Sequence, residues 1–92
     1  MSEPQKNAGE ATPRERVIGL IERILERPPG ASPLPITARL NELGMSSMKM
    51  ISLMLAIEVE FDLTLPQAEI TPENFESITS VDALVTRLLG SA

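Results

Sequence analysis

The sequence predicts an all-α fold of three main helices, with a short extra helix before the last of them and a long loop after the first. Apolar residues recur at i, i+3, i+4 and i+7 spacing in three separate segments. Strand-type alternation is absent, and the eight prolines fall outside the segments or at their starts. A chain of 92 residues with 42% hydrophobic content can bury one helical core, and with 2% aromatics that core has to be built from Leu, Ile, Val and Met.

Residues 1–12 mix Ser, Glu, Pro, Gln, Lys, Asn, Ala and Gly without apolar period, so they read as a disordered tail ahead of a domain at 13–90. Thr12 is placed to cap the first helix, with Pro13 at its first position and Glu15 completing a capping box. Val17, Ile18, Leu20, Ile21, Ile24 and Leu25 form its apolar face, and it ends before Pro28-Pro29-Gly30. The stretch from Pro28 to Met45, with four prolines and two glycines, is expected to hold no regular element, although Ile36, Leu40 and Leu43 are spaced to touch a core. A loop of that length is usually functional. Ser46 or Ser47 caps a second helix reaching Phe61, closed off by Asp62 and Pro66. Thr71-Pro72 starts a short third helix ending near Glu76 or Ser77, and Ser80 caps a last helix carrying Val81, Leu84, Val85, Leu88 and Leu89 until Gly90 stops it.

Composition removes whole classes of function. With no His and no Cys there is no Cys/His zinc site, no Ser-His or Cys-His nucleophile pair and no disulfide framework, so the chain is expected to be non-catalytic. Eight basic residues against 13 acidic ones, a net charge of -5, argue against nucleic acid, whose binding rests on Lys and Arg neutralising phosphates. The first residues contain no apolar signal segment, and no run approaches the ~18 apolar residues of a membrane span, so no membrane insertion and a cytoplasmic location are expected.

The second helix is apolar on two sides. At roughly 100° per residue, Met50, Leu53, Met54, Ile57 and Phe61 form a core stripe. Met48, Ile51, Leu55 and Val59 form a second sector nearly opposite, and a small bundle cannot easily bury both. Such a patch is expected to dock a partner.

The string Asn41-Glu42-Leu43-Gly44-Met45-Ser46-Ser47-Met48, continued by Ile51-Ser52-Leu53-Met54 and Ile57-Glu58-Val59-Glu60-Phe61-Asp62, resembles the acyl carrier protein family, whose attachment motif reads Leu-Gly-x-Asp-Ser-Leu. Leu65-Pro66, Thr71-Pro72-Glu73-Asn74-Phe75 and Ser80-Val81 extend the resemblance, which spans about residues 14–89. It implies a four-helix carrier bundle whose matching serine, Ser47, receives 4′-phosphopantetheine from coenzyme A through a separate phosphopantetheinyl transferase. It further implies a stand-alone, monomeric carrier that holds acyl groups as thioesters on that arm and presents them to acyl-loading and acyl-processing enzymes. The implied docking set is Ser46, Met48, Lys49, Ile51, Ser52, Leu55, Glu58 and Val59.

Two departures from the family pattern point to a specialised carrier. Ser46 stands where Asp is usual, which keeps a cap but removes a charge beside the hydroxyl. Lys49 and Ser52 stand where carriers of bacterial fatty-acid synthesis tend to be acidic. Around the site, Met45, Met48, Met50 and Met54 either fill the core or give an adaptable surface. The main expectation is a lipid, fatty-acid or polyketide pathway. The alternatives are an aminoacyl or peptidyl carrier, and an unmodified helical interaction module.

Overall fold

The computed structural model describes residues 11–91, so the tail expected at 1–12 lies outside the described residues except for Ala11 and Thr12. Three α-helices make the body: α1 at Pro13–Ile24, α2 at Ser47–Phe61 and α3 at Ile78–Ser91. No strand occurs among the described residues, in agreement with the all-α expectation.

Helix α1 starts as its sequence dictates. The Glu15 amide donates to Thr12 Oγ1 at 3.1 Å and the Thr12 amide donates to Glu15 Oε1 at 3.0 Å, so two of the amides that a helix start leaves without partners are satisfied reciprocally. Its buried residues are Val17, Leu20 and Ile21. They face α2 and α3, which supply Leu53, Ile57 and Phe61 from one side and Ile78, Val81, Leu84 and Val85 from the other.

Polar contacts orient the helices around that core. The Arg16 side chain donates to Glu60 Oε2 at 2.8 Å and to the Glu60 carbonyl at 2.7 Å, and its guanidinium lies 4.4 Å from the centre of the Phe61 ring. One side chain of α1 thereby grips the end of α2 by charge, by hydrogen bond and by cation–π attraction. Arg14 pairs with Asp82 of α3 at 3.0 Å.

Four details differ from the sequence expectation. The long loop does contain a regular element, a 3₁₀ turn at Leu40–Leu43. All four prolines of the loop precede Ile36, so nothing prevents the later part from coiling, and burial of Leu40 anchors it there. The short third helix expected from Thr71 is a hydrogen-bonded turn. The Asn74 amide donates to Thr71 Oγ1 at 3.2 Å, as a cap would require, but the Glu76 carbonyl accepts from the Leu40 amide at 2.8 Å instead of continuing a helix. An unexpected 3₁₀ turn at Gln67–Glu69 precedes it. Finally, α3 begins before Ser80 and contains Gly90: Ser77 Oγ accepts from the Ser80 amide at 3.2 Å, so Ser77 does the capping, and Ile78 is wholly buried.

The long loop is tied to the start of α3 by two donors from one residue. The Thr79 amide and hydroxyl both reach the Ile36 carbonyl, at 3.0 and 3.1 Å. Ile36 and Leu43 are partly buried, as their spacing suggested, and Leu34 adds a buried contact that the sequence pattern did not mark.

Gly44 ends the 3₁₀ turn at φ 101°, where a side chain is strained even though a Cβ would meet only Leu25 Cδ2 at 3.9 Å. Gly19, inside α1, has open space at the same position. Gly44→Ala should therefore lose about 1–2 kcal/mol in urea denaturation, through backbone strain alone. Gly19→Ala should gain about 0.5–1 kcal/mol in the same measurement, from helix propensity.

Candidate functional site

The turn at Gly44 and the buried Met45 deliver the chain to the start of α2, where Ser46 and Ser47 are both exposed. Ser46 is the N-cap, its Oγ accepting from the Lys49 amide at 3.2 Å. Ser47 is the first helical residue, so its hydroxyl has no capping duty. The amides of Ser47 and Met48 have no acceptor within the helix, and the positive end of the helix dipole lies there. A phosphodiester on Ser47 would meet those donors and that field, which is the environment that favours an anion. The two serines that the sequence left interchangeable as caps are thus divided between capping and exposure.

Along α2 the two apolar sectors separate as expected. Leu53, Ile57 and Phe61 are buried, while Met48 is 76% exposed, Ile51 54%, Leu55 59% and Val59 83%. Ser52 lies within the same exposed sector. Lys49 and Glu58, also expected on the docking face, are only partly exposed and flank it. Glu58 is engaged with the chain itself: its Oε2 accepts from the Leu65 amide at 2.8 Å, which pins the segment that leaves α2.

The methionines divide by position. Met45 belongs to the core and Met48 to the exposed sector. Met50 and Met54 are partly buried and line a cleft of about 550 Å³, together with Ile70, Pro72 and Phe75 from the segment that follows α2. Arg39, Glu73 and Glu76 supply charged lining. Met50 and Met54 follow Ser47 at i+3 and i+7, so the cleft begins one helical turn from the serine, about 4.5 Å along the axis. Arg39 and Glu76 face each other at 3.6 Å, and the Leu40 amide to Glu76 carbonyl bond closes the backbone behind them.

The cleft was not legible from the sequence. Its walls come from three segments spread from Arg39 to Glu76, joined by the Leu40–Glu76 and Ile36–Thr79 hydrogen bonds, and no local spacing announces that junction. The clustered methionines were its single local sign. No group of three or more metal-ligating side chains occurs among the described residues, and no helix is long and apolar enough to cross a membrane.

Comparison with known proteins fits this geometry. Residues 15–88 match the family profile described as the phosphopantetheine attachment site. Aminoacyl carrier protein 1 of Bradyrhizobium diazoefficiens is 44% identical over 79 residues, covering 86% of this chain and 88% of the relative. Aminoacyl carrier protein 2 of the same organism is 41% identical over 78 residues, covering 85% and 88%. Among solved structures, a chain in the crystal structure of Bradyrhizobium japonicum glycine:[carrier protein] ligase complexed with glycylated carrier protein matches with TM-score 0.64 and 45% identity, covering 77% of this chain and 96% of that one. A second complex, of the ligase with its cognate carrier protein and an analogue of glycyl adenylate, matches with TM-score 0.64 and 42% identity, covering 86% and 97%.

Two variants separate capping from exposure. Ser46→Ala removes the bond to the Lys49 amide and should cost about 1 kcal/mol of stability in chemical denaturation. Ser47→Ala, at a position with no capping role, should change stability by less than about 0.5 kcal/mol in the same experiment.

Proposed function

This chain belongs to the phosphopantetheine-attachment family of carrier proteins, and we propose that within it the protein is an aminoacyl carrier whose arm is attached to Ser47. As a carrier it is not itself an enzyme, and family membership implies a covalently attached 4′-phosphopantetheine. The observation that carries the assignment of the arm is the placement of an exposed, unengaged hydroxyl at the first position of α2, beside free amides.

The arm supplies a terminal thiol on which an aminoacyl group is held as a thioester, a group that a chain with no Cys does not provide. The chain's own residues do the rest. Ser47 Oγ bears the phosphodiester, and the amides of Ser47 and Met48 favour its negative charge. Ser46 keeps the helix start closed through the Lys49 amide, so the point of attachment is rigid while the arm is free to swing. The cleft beside Met50 and Met54 offers shelter to a group folded back along α2. The outer face of α2, with Ser46, Met48, Lys49, Ile51, Ser52, Leu55, Glu58 and Val59 on or beside it, is where a loading enzyme docks.

An aminoacyl cargo is favoured over an acyl chain of lipid, fatty-acid or polyketide synthesis because both curated relatives described above are named aminoacyl carriers. The same reasoning makes the loading partner an amino acid:carrier protein ligase, with glycine the first amino acid to test. A phosphopantetheinyl transferase is required to install the arm.

Incubation with coenzyme A, magnesium and a broad-specificity transferase should raise the intact mass of the wild-type chain by about 340 Da, and that of Ser47→Ala by nothing. The modified protein, given glycine, ATP and the Bradyrhizobium ligase, should then gain one glycyl group that hydroxylamine removes. The same mass gain on Ser47→Ala would overturn the attachment site. A modified protein loaded with an acyl group but with no amino acid would overturn the aminoacyl assignment.

A further inference from the structure

Nucleophiles are scarce in this chain. It has no His and no Cys, and among the described residues every basic side chain except Lys49 is an arginine. A guanidinium keeps its proton and does not attack a carbonyl, whereas the amine of a lysine does so once its proton is lost. Lys49 lies two residues after Ser47, about 3 Å further along the axis of α2. It is partly exposed, and its side chain makes no ion pair or hydrogen bond among the described residues. The bond it makes to Ser46 Oγ, at 3.2 Å, comes from its backbone amide. The sequence's other lysine, Lys6, lies outside the described residues.

Side chains of a helix lean toward its N-terminus, so Lys49 leans toward the end of α2 from which an arm on Ser47 departs. Its aliphatic stem is flexible, and no contact has to break before its amine moves. Groups joined by a short flexible tether meet at an effective concentration of about a millimolar or more. The carbonyl carbon of a thioester is an electrophile, and the amide an amine forms from it is the more stable product. Hydroxyls nearby compete poorly: that of Ser46 is engaged in capping, and an ester formed on one stays as labile as the thioester.

We propose that Lys49 is a self-aminoacylation site, whose ε-amino group takes the aminoacyl group from the arm on Ser47 and keeps it as an amide. This rests on the attachment of the arm to Ser47 given above. Lys49 first releases its ammonium proton to solvent. Its Nζ lone pair then attacks the thioester carbonyl: the C–N bond forms, the C–S bond breaks, and the sulfur leaves with the electron pair and takes up the proton shed by the nitrogen. The products are an Nζ-aminoacyl lysine and a free arm thiol that can be loaded again. The step consumes no oxidant or further reactant. It limits how long a loaded carrier can wait for the enzyme that uses its cargo, because the amide is not released by thioester exchange.

The test uses the full chain and needs no loading enzyme: a broad-specificity transferase installs the glycyl-bearing arm directly from S-glycyl-coenzyme A. The intact mass should first rise by about 397 Da, the arm plus one glycyl group. On incubation, a hydroxylamine-resistant glycyl group of about 57 Da should accumulate and map to Lys49 in peptide mass spectra, whereas an ester on Ser46 or Ser52 is removed by hydroxylamine. The first-order rate should agree within about twofold between about 10 and about 200 µM carrier, as tethering requires, and should rise with pH. Lys49→Arg keeps the charge without the free amine, and should lower the resistant product at least about tenfold. Circular dichroism reads the fold of that variant. In a mixture with isotope-labelled Ser47→Ala chain, which has Lys49 but no arm, the resistant glycyl group should stay on the unlabelled chain. Resistant glycine that persists in Lys49→Arg, maps to Lys6 or reaches the labelled chain overturns the proposal, as does a thioester lost to water with no amide formed. A first spectrum without the mass of the arm overturns the attachment reading as well, so the two failures are told apart at that step.

Discussion

A helix of 15 residues has two sides, and in a chain of 92 residues there are neighbours enough to cover one of them. That constraint on α2 organises the molecule. Its inner side, through Leu53, Ile57 and Phe61, meets α1 and α3 and forms the centre of the core. Its outer side, equally apolar, is left to solvent and is available to whatever approaches the first turn. The core contacts and the proposed docking face are therefore written on one helix, at residues that alternate every one or two positions.

The ends of α2 are held so that this division persists. At the start, Gly44 turns the chain, Met45 plugs the core and Ser46 closes the first turn, which leaves Ser47 with an exposed hydroxyl. At the far end, Arg16 grips Glu60 and Phe61 while Glu58 takes up the Leu65 amide. These contacts stabilise the exit from the helix and also withdraw both of its carboxylates. A structural requirement and the electrical character of the outer face have the same cause.

Local signals in the sequence determine the structure where the partners are near neighbours. The capping box of Thr12 and Glu15 needs three residues, and the two sectors of α2 need little more than helical periodicity. The elements that differ from the sequence expectation depend on distant partners. Thr71 caps a turn as its sequence suggests, but whether that turn grows into a helix is decided by the Leu40 amide, which takes the Glu76 carbonyl. Likewise α3 begins at Ile78, before Ser80, because Ile78 is buried and Thr79 is bonded to Ile36. The inward engagement of Glu58 and Glu60 was invisible for the same reason. Cargo is a separate matter: an exposed hydroxyl at a capped helix start suits any carrier arm, so the geometry of that start does not distinguish an aminoacyl group from a fatty acyl one.

As a carrier, this chain has no Cys of its own and relies on the thiol of its prosthetic arm. In the reading proposed above, its own contribution is a point of attachment at Ser47 and a face for its partner enzymes. The division of α2 is tested most directly by two neighbouring leucines, truncated one at a time in the arm-bearing protein and measured for both stability and ligase KM. Leu53→Ala should lose about 2–5 kcal/mol in chemical denaturation, with KM little changed where the protein remains folded. Leu55→Ala should lose less than about 0.5 kcal/mol and raise KM severalfold. Comparable destabilisation by the two variants, or a KM indifferent to Leu55→Ala, would contradict the account.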